Sequence, residues 1–148
     1  MSIEKNKEIA RIHFEEVHNK GRVELMNDYY ALDIPAGEFN SKEEYGERLL
    51  WFRKVAPDMC FTILDMVAEG DKVYVYHKDS MTYSVVPDSA PPLPMPPLGK
   101  KVEFRTVEML RFKDGKLVEV EFVAEWMNML VDAGVYVLAK PEMAQHSK

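Results

Sequence analysis

Helical periodicity up to Val55, strand alternation beyond it, and one Asp-Gly hairpin signal at Asp114-Gly115 predict a segregated α+β fold. In such a fold an antiparallel sheet with one apolar face is covered by two or three amphipathic helices around a single core. A sheet that curls leaves a pocket between itself and the helices.

The elements follow in chain order. Ile3, Ala10, Phe14 and Val17 fall on a helical spacing, widened by Ile9 and Ile12, and Asn19-Lys20-Gly21 supplies the stop. Val23, Leu25, Met26 and Tyr29-Tyr30 continue as a shorter helix, and Ala31–Phe39, with Pro35 and Gly37, reads as loop. Ser41-Lys42-Glu43-Glu44 is a capping box for a third helix, which ends before Pro57. Met59–Ala68 is a strand, Glu69-Gly70-Asp71 a turn, and Lys72–Tyr83 a second strand. On that strand Val73, Val75, His77, Asp79 and Met81 share a face. The segment 84–99 is rich in proline, which cannot donate to a ladder, and reads as a stiff loop. Met127–Ala133 closes the fold as a short helix, followed by a polar tail, Lys140–Lys148.

The hairpin Lys101–Trp126 singles out one residue. Placing Phe112 opposite Lys116 pairs Glu108 with Val120, Thr106 with Phe122, and Phe104 with Ala124. Val102, Phe104, Thr106, Glu108, Leu110, Phe112, Val118, Val120, Phe122 and Ala124 then share a face that is apolar apart from Thr106 and Glu108. A carboxylate on an apolar wall needs a reason, because burying an unpaired charge is costly. Enclosure would raise its pKa toward the working range of a general base. The alternative is a strand-end glutamate reaching water, or one bonded to a nearby Tyr or His to steady the core. His77 and Asp79 sit two apart on one face, where a carboxylate can hold an imidazole tautomer; the alternative leaves them half exposed as the strand ends.

Length and composition set limits. The 148 residues fit one domain, 1–148, with a core over about 5–134. Nineteen basic and twenty-five acidic residues give a net charge of −6 without a basic cluster, which disfavours nucleic acid and anionic membranes as partners. The single cysteine, Cys60, leaves no intramolecular disulfide, and beside Met59 and Phe61 it reads as buried filler. No apolar run is long enough to span a membrane, so the chain reads as cytoplasmic. Phosphate loops and Ser-His-Asp patterns are missing. A His77–Asp79–Glu108 metal site is conceivable but not required by spacing, so we expect no metal and no cofactor.

Several runs together resemble one family: NKEIARIHFEEVHNKGRVELMNDYY, FTILDMVAEGDKVYVY, PPLGKKVEF, RFKDGKLVEVEF, and the ending Met129-Leu130 with Ala133-Gly134. In this order they resemble SnoaL-like polyketide cyclases of the nuclear transport factor 2-like superfamily. The resemblance implies a cone-shaped barrel, made by a curved antiparallel sheet wrapped around the N-terminal helices. It also implies a deep apolar pocket that takes a small-molecule ligand, and a homodimer formed through the outer sheet face. Cyclases of this kind close a ring by intramolecular aldol chemistry, with a pocket aspartate as acid/base on the strand after the D-G-K turn. That position falls on Phe122 here, and two further polar positions fall on Thr106 and Glu108.

The resemblance therefore implies either a cofactor-free cyclase or isomerase with Glu108, His77 and Asp79 as catalytic groups, or a pocket protein without turnover. A dehydratase or epoxide hydrolase of the same fold is a third possibility. Ligand-binding candidates are Thr106, Phe122, Tyr30, Asp33, Trp51 and Trp126. For Tyr30 and Tyr45, and for Trp51, core packing is the competing explanation.

Overall fold

Four antiparallel strands in the order β1-β2-β3-β4 form the sheet, and helices pack on its inner face. The computed structural model describes residues 2–31, 41–85, 96 and 98–135. Helix α1 (Ile3–Ile12) runs into a π-helical turn, His13–His18, and a 3-10 turn, Val23–Leu25, leads into α2 (Met26–Tyr29). Then come α3 (Lys42–Val55), β1 (Cys60–Glu69), β2 (Lys72–Thr82), β3 (Lys101–Lys113), β4 (Lys116–Ala124) and α4 (Trp126–Asp132). This is the predicted α+β order. Asp33, most of the proline-rich loop and the polar tail lie outside the described residues.

Local chemistry explains the helix ends. Ser2 caps α1 by accepting from the Lys5 amide at 3.3 Å, and Ser41 caps α3 by accepting from the Glu44 amide at 3.2 Å. Gly21, at φ 69°, takes the left-handed conformation that releases the chain from the first helix. Arg53 of α3 donates to the His18 carbonyl at 2.9 Å, satisfying one of the orphan acceptors at that end.

The sheet curls without closing, and bulges in β1 (between Ile63 and Asp65) and near the start of β4 increase its bend. The N-terminal segment ties down both edges. The Asn19 side chain acts as a surrogate strand at β1, donating to the Phe61 carbonyl at 2.8 Å and accepting from its amide at 2.7 Å. At the far edge, the Ala31 amide donates to the Leu117 carbonyl at 2.9 Å, beside a parallel bridge between Tyr30 and Leu117. Residues 19–31 thus span from one edge of the sheet to the other and pair with one residue on each, Phe61 and Leu117. The core beneath is built from Ile9, Ala10, Phe14 and Val17 of the first helix against Val73, Val75, Phe104, Leu110, Leu117 and Val120 of the strands.

Two sequence expectations need correction here. The hairpin turn has two residues, Asp114 at φ 49° and Gly115 at φ 83°, with Lys113 paired to Lys116. Two successive left-handed residues are what a type I′ turn requires. The β4 bulge adds another step, so Glu108 faces Phe122 and Thr106 faces Ala124, two residues from the expected register. An even shift preserves faces, so Val120, Phe122 and Ala124 stay on the wall with Glu108, while buried Leu117, not Lys116, stands opposite Phe112 and takes the place on the wall expected of Val118. Cys60 is exposed, because it alternates with half-buried Phe61 onto the outer side of an edge strand. Among the described residues, no helix is long and apolar enough to cross a membrane.

Candidate functional site

The inner face of β2 and β3 brings four polar side chains together inside an apolar wall. Antiparallel pairing sets Val75 against Glu108, His77 against Thr106, and Asp79 against Phe104. Because alternate residues share a face, His77, Asp79, Thr106 and Glu108 all point inward, and all four are buried. They line a pocket of about 170 Å³ whose remaining wall includes Leu49, Phe52, Phe61, Phe104, Phe122 and Trp126. A few convergent polar groups in an aromatic-rich concavity are the usual composition of a small-molecule site.

Hydrogen bonds fix the order of these groups. Thr106 Oγ1 donates to Asp79 Oδ2 at 2.8 Å, and Asp79 Oδ1 lies 2.5 Å from His77 Nδ1. The carboxylate therefore receives the His77 Nδ1–H and turns Nε2 into the pocket. His77 Nε2 lies 3.7 Å from Glu108 Oε2, an ion-pair distance too long for a hydrogen bond, and it has no hydrogen-bond partner. The other oxygen of Glu108, Oε1, accepts from His13 Nε2 at 2.8 Å. His13 Nδ1 in turn meets the Tyr30 hydroxyl in a short contact. Next to this chain, His18 Nε2 bonds the Tyr45 hydroxyl at 2.6 Å, and both residues line the pocket.

Charge follows from these partners. Burial would push the His77 imidazole down, but the Asp79 bond and the negative charges of Asp79 and Glu108 outweigh it and hold the group up at about 9. For Glu108, burial alone would push the carboxyl up, which is the sequence expectation. The His13 charge and hydrogen bond, with His77 and His18 adding to them, reverse that and hold it well below the ordinary carboxylate range. Glu108 is thus a carboxylate and His77 an imidazolium at neutral pH. Burial, reinforced by the nearby His13 charge, pushes His18 well below its usual value and leaves it neutral. Burial first, then the charge of Glu108, pushes Tyr30 and Tyr45 well above theirs, so both keep their O–H.

The sequence candidates divide accordingly. Glu108, His77, Asp79, Thr106, Phe122 and Trp126 all lie on the pocket wall, with Trp126 packed on Phe104 at 4.8 Å between ring centroids. Tyr30 is buried but sits behind Glu108, reaching it only through His13. Trp51 does not line the pocket that Leu49 and Phe52 line; it packs edge-on against Phe52 and carries the Arg48 guanidinium 4.3 Å over its ring. Asp33 lies outside the described residues. Among those residues, no cluster of three His, Cys, Asp or Glu side chains is arranged to hold a metal ion.

Two residues escaped the sequence reading, His13 and His18. Five residues of α-helix rotate by roughly 500°, which sets such a pair about 140° apart, on different faces. The π-turn His13–His18 hydrogen-bonds at i→i+5 and adds a residue to the turn, which brings the two rings to 4.3 Å between centroids. The available signal was an imidazole next to each of Phe14 and Val17 on an otherwise apolar stripe.

Comparison with known proteins agrees with the fold. The chain superposes on TsrD from Streptomyces laurentii with a TM-score of 0.79 at 14% identity, covering 92% of this chain and 99% of that one. It superposes on a SnoaL-like polyketide cyclase from Agrobacterium tumefaciens with a TM-score of 0.72 at 14% identity, covering 92% and 100%. A polyketide-cyclase candidate from Acidithiobacillus ferrooxidans gives a TM-score of 0.72 at 23% identity, covering 93% and 100%. At these identities the likeness shows the nuclear transport factor 2-like fold alone. No curated protein sequence matches the chain. The sequence model of one family, SnoaL-like polyketide cyclase, matches residues 8–132, and the chain belongs to that family.

Proposed function

We propose that this protein is a cofactor-free cyclase or isomerase acting on an apolar carbonyl compound, with Glu108 as base and His77 as the group that receives the carbonyl oxygen. The observation that carries this reading is the unpartnered, buried Nε2 of a charged His77, aimed into an apolar pocket and 3.7 Å from the Glu108 carboxylate. A charged donor held by Asp79 in an apolar-walled pocket is preorganised for a developing oxyanion.

In the proposed reaction, Glu108 Oε2 takes a proton from the carbon next to the carbonyl, and the electron pair moves onto oxygen as an enolate held by His77 Nε2–H. The enolate carbon attacks a second carbonyl of the same molecule, forming the ring bond. The new alkoxide then recovers the proton from Glu108. No group is gained or lost, so no co-reactant is needed. A carboxylate held low is a weak base, and the step therefore depends on His77 to acidify the C–H bond. This assigns the polar work to a pair on β2 and β3, because Phe122, directly opposite Glu108, cannot move a proton.

Phe122 also favours a second reading, in which the pocket binds an apolar ligand without turnover. The two separate on α-proton exchange of an aryl methyl ketone in deuterium oxide, followed by proton NMR. Turnover predicts exchange by the wild type and a loss of 10²-fold or more in Glu108→Gln. Equal exchange in the two proteins overturns the proposal, and binding of the ketone with quenching of tryptophan fluorescence but no exchange establishes the second reading.

The proposal includes a homodimer in a reduced, cytoplasmic setting. Val67, Tyr74, Tyr76, Val107 and Val123 are exposed on the outer sheet face, a set of apolar side chains suited to covering by a second copy. Sedimentation at micromolar concentration tests this, with Val107→Lys expected to give monomer.

A further inference from the structure

His13 is fully buried, bonded on both ring nitrogens, and absent from the pocket wall. A buried imidazole that touches no ligand space still has to be explained. Its Nε2 holds Glu108 Oε1, and only the opposite oxygen, Oε2, approaches His77. We infer that His13 and Tyr30 form a positioning relay, which turns Glu108 so that Oε1 is engaged at the back and Oε2 is left to the pocket. This rests on the reading of Glu108 as the pocket base.

The chemistry of the chain gives it a direction. Tyr30 keeps its proton, so its O–H can donate to Nδ1 of His13, and the tautomer that accepts there carries its hydrogen on Nε2, pointing at Glu108. Tyr30 therefore selects the tautomer, and His13 presents a donor to Glu108 whether neutral or charged. The order Tyr30–His13–Glu108 runs from the end of α2, through the π-turn, to the middle of β3. The π-turn is what makes the arrangement possible: its one extra residue lets His13 face Glu108 while His18, on the same turn, faces Tyr45. Irregular turns of this kind are frequent at functional sites.

The groups facing Glu108 are His13 and His18 from the first helix, Tyr30 after α2, Tyr45 from α3, and His77 with Asp79 from β2. Among the described imidazoles, His13 alone lies within hydrogen-bond distance of the carboxylate. Its removal should therefore let Glu108 take up a proton at higher pH, with the other groups still in place. A residue that merely filled space would not move that titration.

The test is an infrared titration of the Glu108 carboxyl, isolated by subtracting the Glu108→Gln spectrum, in the wild type and in His13→Leu, His13→Gln and Tyr30→Phe. Far-UV circular dichroism checks that each variant is folded. The relay predicts at least a tenfold rise in proton affinity of Glu108 in His13→Leu and a smaller rise in Tyr30→Phe. It also predicts partial recovery in His13→Gln, whose amide can still donate. If His13→Leu does not fold, the ordering of His13→Gln and Tyr30→Phe against wild type decides. An unchanged Glu108 titration in the folded variants overturns the relay. Because this readout needs no turnover, a shifted titration with no ketone exchange by the wild type would uphold the relay and remove the proposed activity. Exchange with an unshifted titration would do the reverse.

Discussion

Two imidazoles line the same pocket at similar burial and are driven in opposite directions. His77 has Asp79 bonded to one nitrogen and Glu108 near the other, and it is held charged at about 9. His18 has a tyrosine hydroxyl as its partner and another imidazole tilted against it at 4.3 Å between centroids, and burial leaves it neutral. Burial costs both of them their charge; the presence of a carboxylate decides which one keeps it. The strand wall is thus the charged half of the site and the helix wall the neutral half. A carbonyl ligand that enters finds one cationic donor and one hydroxyl.

The largest test of that contrast removes the carboxylate that the charged half shares. Glu108→Leu leaves His13 and His77 buried without their common anion, and urea denaturation at pH 7 should show a loss of about 3–5 kcal/mol. A loss below about 1 kcal/mol would mean the ion pairs do not hold this wall.

Next in size is the pH dependence of stability. His77, raised in the folded state, contributes stability that is complete below about 6.5 and is lost as pH rises through about 9. Over that span it is worth roughly 3 kcal/mol. His18 is lowered, so the unfolded chain takes up its proton first as pH falls below the ordinary value of 6.5, and stability declines on that side. Glu108 acts in the same direction: its contribution is complete above the ordinary value of 4.5 and is lost on further acidification. Chemical denaturation across pH should therefore peak near 6.5, and a plateau extending past pH 9 would contradict the assignment of His77.

A finer test separates the two histidines. Asp79→Asn removes the charge bonded to His77 Nδ1, so NMR titration should bring the His77 value down from about 9 toward the ordinary 6.5, with His18 remaining below its ordinary value through burial. Stability at pH 7 should fall by about 2 kcal/mol, within the range for hydrogen bonds to charged groups. The smallest effect belongs to the neutral half: Tyr45→Phe should cost about 1 kcal/mol in the same denaturation, as a neutral hydrogen bond does.

The charged half was legible in the sequence and the neutral half was not, for a physical reason. A strand alternates with period two, so Glu108 beside Thr106, and His77 beside Asp79, can be assigned to one face by counting. The two-residue turn and the β4 bulge moved the pairing but by an even number, so the wall survived a wrong register. The helix wall depends on one added residue in the π-turn, which periodicity at 3.6 residues cannot register, and regular helical spacing would set His13 and His18 on separate faces. Trp51 illustrates the same sensitivity: one position from Phe52, it sits outside the pocket that Phe52 lines. Tyr30, for which ligand contact and core packing were the competing readings, is buried off the pocket wall, because sequence reports proximity to a pocket mouth and not which side of a neighbour a ring occupies.

The most direct measurement of the central claim is a crystal structure with 2-naphthol, a flat apolar molecule whose oxygen resembles an enolate. The account predicts the naphthol oxygen within hydrogen-bond reach of His77 Nε2, with a ring carbon beside Glu108 Oε2 and the rings against Phe104, Phe122 and Trp126. A naphthol seated in the pocket with its oxygen turned to the mouth, and His77 Nε2 still unpartnered, would contradict it.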